Sequence, residues 1–390
     1  MDVIPYSRQS INEEDISLLT KTMTSDFLTQ GPRIPEFERA LEGYFGVQHA
    51  IVCSSGTAAL HLAYASAGIN SNSVGIVPAI TFAATANALR YQGADVRFCD
   101  VDPVTGLISI ESLEECLSQV SEEQKEKNNL ITPVSFAGAV APLAKCAKLA
   151  SQHNFILIED ASHSPGASTR DAEGEKISSA NGQYALASTL SFHPVKHICA
   201  GEGGAVLTND QKLAEKAGQL RSHGINRPFN ENDEMPWYYE QENLGWNYRL
   251  TDLQATLGLS QLSRLDHFLT KRRHLAQRYE DLLKESPFKE HIDRPHYEDG
   301  HAWHLYVIRF KDKDLRNLAY KFFKSKNILT QVHYIPVYKH PYYQKQLEGF
   351  QLPGAEKFFQ SCLSIPMYAD LNEAEQDRVL ETLRLFLHQG

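Results

Sequence analysis

Between about residues 50 and 210 the chain alternates short apolar runs with longer segments of helical periodicity. This alternation constrains its fold more than any other feature of the sequence. We predict strands at six runs: AIVC at Ala50–Cys53, VGIV at Val74–Val77, VRFC at Val96–Cys99, LITPV at Leu130–Val134, FILIE at Phe155–Glu159 and AVLT at Ala205–Thr208. Continuous apolar strands separated by helices are typical of a mostly parallel sheet covered on both faces. The sequence therefore predicts an α/β fold whose central sheet is sandwiched between helices.

A second domain is expected because 390 residues exceed what one hydrophobic core usually serves. A leucine pattern of helical spacing begins near Thr251 and can bridge two domains. The apolar run HLYVIRF and a helical pattern near Leu315–Lys326 follow it. We predict a large domain over residues 1–260 and a smaller C-terminal α+β domain over residues 261–390.

Composition and charge exclude several classes of protein. A net charge of −10 opposes the clustered basic surface of a general nucleic-acid binder. No apolar run reaches the roughly 18 residues of a membrane span, and the N terminus lacks a signal-peptide pattern. Six scattered cysteines without a CxxC pair predict free thiols, and Pro194 between His193 and His197 opposes a helical metal site. We expect a cytoplasmic protein without a metal.

Lys196 is the first candidate for chemistry. It ends the segment SFHPVK, shortly before the glycine-rich turn GEGG. A lysine buried near such a turn can have its ammonium pKa lowered and act as an amine nucleophile. A solvated surface lysine is the alternative, and this segment alone does not decide between them.

Asp160 is the second candidate, because it follows an apolar run and precedes the small residues Ala161 and Ser162. A carboxylate in that position is costly unless a cation faces it. A protonated pyridine nitrogen is one such partner, and the carboxylate would keep that ring cationic and able to accept electrons. Capping of a helix is the alternative function.

A third motif, Ser54–Thr57 (SSGT), lies between a predicted strand and a predicted helix. Backbone N–H groups and hydroxyls at a helix N terminus suit a phosphate dianion, although ordinary helix capping is the alternative. Together with Phe82, this turn and Asp160 fall beyond the carboxyl ends of predicted strands, where ligands bind in such sheets. Ser191 and Lys196 follow these motifs along the chain.

In this order the motifs resemble those of the DegT/DnrJ/EryC1/StrS sugar aminotransferases, a group of fold-type I enzymes that depend on pyridoxal 5′-phosphate (PLP). The similarity covers nearly the whole chain and includes GPRIPEFERALEGYFGVQHAIVCSSGTAALHLA, PAITFAATANALRYQGADVRFCDVD, IEDASHSPGA, SFHPVKHICAGEGGAV, LGWNYRLTDLQATLGLSQL, HAWHLYVIRF and VHYIPVYKHPYY. It implies the fold of the fold-type I PLP-dependent transferases, with a homodimer that shares its active sites.

The resemblance also implies a role for each residue of the cofactor site. Lys196 would bind PLP as a Schiff base, and Asp160 would pair with the pyridinium nitrogen. Phe82 would stack on the ring, and His163 would lie beside the ring hydroxyl. The phosphate would be held by residues of both subunits, namely Gly56, Thr57 and Ser191 of one chain and Asn247 of its neighbour.

The implied reaction has two halves. An amino group passes from L-glutamate to PLP, which becomes pyridoxamine phosphate, and then from pyridoxamine phosphate to a keto sugar linked to a nucleotide. The residues implied for substrate binding are Thr29, Gln30, Gly31, Arg249, His333 and Tyr334, although an ion pair within the protein is an equal alternative for Arg249. The segments SRQSINEEDI, SDFLTQGP and SFHPVKHICAGEGG resemble a subgroup of pseudaminic acid biosynthesis. That subgroup acts at C4 of a UDP-linked 2-acetamido-2,6-dideoxy-4-keto hexose.

Three alternatives remain at this point. Relatives that act on UDP-4-keto-arabinose, on dTDP-4-keto-6-deoxyglucose or at C3 of a sugar share every catalytic motif. PLP-dependent sugar dehydratases on the same fold replace the lysine with histidine, whereas Lys196 is intact here. A noncatalytic regulatory protein would carry a DNA-binding appendage or a decayed site, and the sequence shows neither.

Overall fold

The computed structural model describes residues 2–171, 173–227, 234–296, 299–345, 347 and 349–389. Its strands are β1 His49–Cys53, β2 Val74–Pro78, β3 Asp95–Cys99, β4 Asn129–Ile131, β5 Phe155–Asp160, β6 Ser168–Arg170, β7 Lys176–Ser178, β8 Ala187–Ser191, β9 Gly204–Thr208, β10 Ile225–Asn226, β11 Glu240–Gln241, β12 Ile292–Asp293, β13 Tyr306–Phe310 and β14 Cys362–Ile365.

The helices are α1 Glu13–Met23, α2 Arg33–Phe45, α3 Gly56–Ser66, α4 Ala84–Tyr91, α5 Ile110–Ser118, α6 Glu122–Lys125, α7 Leu143–Gln152, α8 Gln211–Arg221, α9 Asp252–Ser263, α10 Leu265–Leu283, α11 Phe288–His291, α12 Lys313–Ser325, α13 Pro341–Gln344, α14 Pro353–Ser361 and α15 Glu373–Gln389. Two 3₁₀ turns lie at Phe136–Gly138 and Val337–Lys339. In the described part of the chain, no helix is both long and apolar enough to cross a membrane.

The central sheet has seven strands in the order β1-β9-β8-β5-β4-β2-β3. β9 runs antiparallel to both its neighbours, and the other neighbouring pairs are parallel. Alternate residues of β1 enter different cores: Ile51 packs with residues of α3, whereas Val52 packs with Phe37 and Leu41 of α2. Helices therefore cover both faces, and the predicted mostly parallel sheet is confirmed.

The differences from the predicted strands have local causes. β4 ends at Ile131, short of the predicted Val134, because Pro133 has no N–H for the ladder. β8 was not predicted, since its sequence ASTLS is partly polar. Its buried Ser188 and Thr189 hydroxyls are nevertheless satisfied by hydrogen bonds to Glu159. A hydrogen-bonded hydroxyl can be buried without the cost of an unpaired polar group.

A second, antiparallel sheet has the order β12-β13-β14. Its core includes Leu275 of α10, Phe323 of α12 and Leu383 of α15. The leucine pattern that begins at Thr251 forms two helices, α9 and α10, that meet at Arg264. The predicted domain boundary at residues 260/261 falls inside α9 and stays a prediction, while Ile4 packs in this second core.

Candidate active site

A cavity of about 710 Å³ opens at the carboxyl ends of the parallel strands. The turn after β1, the loop after β2 and the last residues of β5 and β8 all reach it, because these strands lie near one another in the sheet. The predicted residues that line it are Gly56, Thr57, Phe82, Asp160, His163, Ser191, Lys196, His333 and Tyr334.

The first turn of α3 offers a phosphate site. The Ser55 hydroxyl caps the helix by accepting the Ala58 N–H at 3.1 Å. The N–H groups of Gly56 and Thr57 have no carbonyl one turn earlier in the helix, and they lie at its positive end. A Cβ atom on Gly56 would lie 2.7 Å from the Ser191 Cβ, so glycine allows the Ser191 side chain to sit against this turn. The arrangement suits a phosphate dianion.

Asp160 is an anion fixed in position at the end of β5. Its side chain is buried, its Oδ2 accepts the Thr85 hydroxyl at 2.8 Å, and its Oδ1 accepts the Ser162 N–H at 3.2 Å. The hydroxyl oxygens of Thr81 and Thr85 lie 2.8 Å apart. Both of the hydrogen-bond donors to Asp160 are neutral, so they orient the carboxylate without neutralising it. A protonated pyridine nitrogen in the cavity would supply the missing cation.

Lys196 is suited to nucleophilic attack. Burial disfavours its charged form and lowers its pKa to about 8, although the negative charge of Asp160 partly opposes this shift. A neutral amine is therefore available closer to neutral pH than in an ordinary lysine. Lys196 thus suits an aldehyde, the first turn of α3 suits a phosphate, and Asp160 suits a protonated ring nitrogen. PLP carries all three groups, so the residues of the cavity fit this cofactor.

The pKa of Lys196 predicts how the apoenzyme should recapture PLP. Because the amine is neutral above its lowered pKa, the rate of covalent capture should rise with pH and level off above about 8. The rate can be followed by the absorbance of the bound cofactor after mixing. A rate that falls as the pH rises through about 8 would contradict the assignment, and Lys196→Ala serves as the control without the reacting amine.

His163 is held as a neutral imidazole. Its Nδ1 accepts the Ala137 N–H at 3.3 Å, so the ring proton lies on Nε2, which is 3.2 Å from the Tyr334 hydroxyl. Burial lowers the pKa of His163 well below its usual value, and the Lys196 charge lowers it further. His163 therefore presents an N–H donor beside the cavity rather than a positive charge.

Other residues of the cavity were not identified as site residues from the sequence. Thr85 holds Asp160, Tyr6 lines the cavity from the N-terminal segment, and the His304 ring lies 4.3 Å from that of His163. The signal for Thr85 was its spacing, since it lies three residues after Phe82 at the start of a helix. Tyr6 and His304 come from distant parts of the chain and carry no comparable local signal.

Several residues predicted for substrate or phosphate binding lie outside this cavity. Thr29 pairs with Thr251 in an isolated bridge, and the Gly31 N–H donates to Asp252 at 2.8 Å. The exposed Asn247 precedes Tyr248, whose carbonyl accepts the N–H of Ser54 at 2.8 Å. The predicted residues that do not line the cavity are Thr29, Gln30, Gly31, Asn247 and Arg249. Their roles stay predictions.

Comparison with known proteins gives a consistent picture. Residues 9–384 match the DegT/DnrJ/EryC1/StrS aminotransferase family. The chain is 37% identical to the UDP-4-amino-4,6-dideoxy-N-acetyl-β-L-altrosamine transaminase of Campylobacter jejuni, over 98% of this chain and 96% of that protein. It is also similar to Helicobacter pylori PseC, an aminotransferase of pseudaminic acid biosynthesis, with a TM-score of 0.88, 31% identity and 100% of both chains covered. Bacillus subtilis NtdA with bound pyridoxamine phosphate gives a TM-score of 0.82 and 29% identity, over 97% of this chain and 83% of that one.

The fold and the cavity thus define a PLP-dependent aminotransferase of fold-type I. The chain belongs to the DegT/DnrJ/EryC1/StrS aminotransferase family. It is a sugar aminotransferase that acts on nucleotide-linked sugars, and PLP is its cofactor. The family, fold class and cofactor predicted from the sequence are confirmed.

Proposed function

We propose that this enzyme transfers the amino group of L-glutamate to C4 of UDP-2-acetamido-2,6-dideoxy-4-keto hexose, as a step of pseudaminic acid biosynthesis. The observation that carries the proposal is the 37% identity to the Campylobacter jejuni transaminase, which extends over 98% of this chain. The similarity to Helicobacter pylori PseC supports it. The intact Lys196 separates the chain from the sugar dehydratases.

The residues of the cavity divide the chemistry among them. PLP, when bound, supplies the aldehyde that accepts the amino group and a ring that withdraws electrons. When PLP is bound, the Lys196 Nζ would move a proton from the α carbon of the donor to C4′ of the cofactor. In the second half of the reaction it would move a proton from C4′ to the sugar carbon that receives the amino group. Asp160 would pair with the ring nitrogen and keep it protonated. Phe82, whose side chain is exposed, would cover the ring, and His163 would lie beside the ring hydroxyl, with its Nε2 3.2 Å from the Tyr334 hydroxyl.

The cavity of a single chain offers few cationic side chains for a nucleotide-linked substrate. Its volume of about 710 Å³ lies within the range of roughly 300–1,000 Å³ typical of ligand sites. Among the described residues that line it, Lys196 is the only lysine or arginine, and the exposed Glu202 adds a carboxylate. A sugar nucleotide carries a diphosphate, which calls for cations. This deficit supports a homodimer in which the partner completes each site.

The sugar assignment is tested with a panel of substrates. The enzyme with L-glutamate should convert the UDP-4-keto-6-deoxy-N-acetylhexosamine to an amino sugar, detected by mass spectrometry and located at C4 by NMR. UDP-4-keto-arabinose, dTDP-4-keto-6-deoxyglucose and a 3-keto sugar serve as competitors. A higher kcat/KM with any of these three would overturn the proposed substrate and leave the enzyme class unchanged.

A shared site predicts complementation between two inactive chains. In a heterodimer of Lys196→Ala and Asn247→Ala chains, one site carries both changes and the other carries neither, if Asn247 acts in the site of the partner subunit. Subunit exchange should then raise activity toward about half of wild type per heterodimer. Native mass spectrometry measures how much heterodimer forms. Activity that stays at the level of the parents despite heterodimer formation would place Asn247 in its own subunit or outside the site.

A further inference from the structure

Glu159 is a buried carboxylate that the reaction described above does not use. Successive residues of a strand point to opposite faces of a sheet, and Asp160 lines the cavity whereas Glu159 does not. Its side chain is 1% exposed. Its hydrogen-bond partners among the described residues are hydroxyls and one backbone amide. Such a group is costly to bury, so its surroundings must hold it closely.

The partners of Glu159 match an ionised carboxylate. Its Oε1 accepts the hydroxyls of Ser135 and Ser179, both at 2.6 Å, and its Oε2 accepts the Ala180 N–H at 2.9 Å and the Ser188 hydroxyl at 3.0 Å. A carboxylate has about four lone-pair positions, and these four donors occupy them. A proton on Glu159 would displace one donor. Hydrogen bonds to a charged acceptor are also stronger than neutral ones.

Ser135 links this carboxylate to the active site. It opens the turn Phe136–Gly138, its N–H donates to the Asp160 carbonyl at 3.0 Å, and its hydroxyl accepts the Ala141 N–H at 3.1 Å. Within the turn, Ala137 has φ of 58°. A non-glycine residue keeps that conformation only where surrounding contacts enforce it. Glu159 supplies such a contact, through the Ser135 hydroxyl.

The strained Ala137 is also the residue that fixes His163. Its N–H donates a hydrogen bond to the His163 Nδ1 at 3.3 Å, which leaves the ring proton on Nε2. If the turn relaxed, Nδ1 would lose its donor and either nitrogen could carry the proton. The position of the proton on the His163 ring therefore depends on the turn Phe136–Gly138. Ser135 anchors this turn to Glu159, whose side chain lies on the face of β5 opposite Asp160.

We propose that Glu159, acting through Ser135, is a positioning residue that keeps His163 as the tautomer with its proton on Nε2. The proposal rests on the predicted location of His163 beside the ring hydroxyl of PLP. It does not rest on the identity of the sugar. Glu159 itself contacts neither cofactor nor substrate, so its effect should reach the cofactor only through the turn and His163.

The test compares two serines that bind the same carboxylate. Ser135→Ala removes the hydroxyl on the turn, whereas Ser188→Ala removes a hydroxyl on β8 and leaves the turn attached. The readout is the pH midpoint of the absorbance change of PLP in the holoenzyme, measured without any sugar. A hydrogen bond donated to the ring oxygen competes with the proton that this oxygen shares, so weakening that bond should raise the midpoint.

We expect Ser135→Ala to raise the midpoint by about 0.5 to 1 pH unit, or roughly threefold to tenfold in proton affinity. Ser188→Ala should leave it within about 0.2 units of wild type, even if both variants lower the melting temperature. The titratable groups that face His163 are unchanged in both variants, namely Lys196, His197, His304, His333 and Tyr334. Equal midpoints in the two variants would overturn the proposal.

A double-mutant cycle tests the route through His163. If Ser135 acts by orienting His163, Ser135→Ala should cause no further shift in a His163→Asn background, because the coupled group is gone. Shifts that add in full would show that Ser135 acts by another path, and the proposal would fail. The substrate panel is a separate measurement, so either proposal can fail without the other.

Discussion

Lys196→Ala is expected to lower kcat by at least about a thousandfold, the loss seen when a positioned acid–base group is removed. The loss exceeds that of other changes because the same amine binds the cofactor and moves the proton. The phosphate turn at Gly56 and Thr57 is untouched in this variant, so pyridoxamine phosphate should still bind. Steady-state kinetics and equilibrium binding of pyridoxamine phosphate measure the two quantities separately.

A matched control for this variant is the exposed Lys212 on α8, where the same substitution should leave kcat unchanged. Small primary amines added to Lys196→Ala should restore part of the rate, because a free amine can carry the proton. Turnover of Lys196→Ala within tenfold of wild type would mean that another group performs the proton transfer.

Asp160→Asn is expected to lower kcat about tenfold to a hundredfold, the cost of losing a hydrogen bond between charged groups. The shape of the side chain is kept, but the ring nitrogen loses its anionic partner and the ring accepts electrons less readily. Cofactor occupancy, measured by absorbance, should fall much less than kcat. Near wild-type turnover at full occupancy would show that Asp160 does not keep the ring protonated.

Thr85→Val separates the charge of Asp160 from its orientation. It removes the hydroxyl that donates to Asp160 at 2.8 Å but leaves the carboxylate in place. If charge is the main contribution, Thr85→Val should reduce kcat clearly less than Asp160→Asn does. Equal losses in the two variants would assign the effect to geometry.

Much of the fold could be predicted because its strands carry local signals. β2 and β5 are buried over most of their length, so they appear as continuous apolar runs in the sequence. β8 carries no such signal, since its buried Ser188 depends on Glu159 for a hydrogen bond. The antiparallel direction of β9 also has no local signature, because strand direction is set by how the chain returns to the sheet.

The candidate site also has residues that the sequence predicts and contacts that it does not. Asp160 and the Ser54–Thr57 turn could be found because each follows a strand, where ligands bind in such sheets. The contacts that orient them were not visible. Thr85 meets Asp160 across 75 positions of sequence, and Tyr334 meets His163 across 171. Such pairs arise from tertiary packing, which a local pattern does not record.

The role of Lys196 is tested by locating the lysine that binds PLP. Borohydride reduction of the holoenzyme, followed by proteolysis and mass spectrometry, should place the cofactor on the peptide that contains Lys196. Prior incubation with L-glutamate should abolish this adduct, because the cofactor then leaves the lysine as pyridoxamine phosphate. A reduced adduct on any other lysine, or none on Lys196, would show that Lys196 does not bind the cofactor.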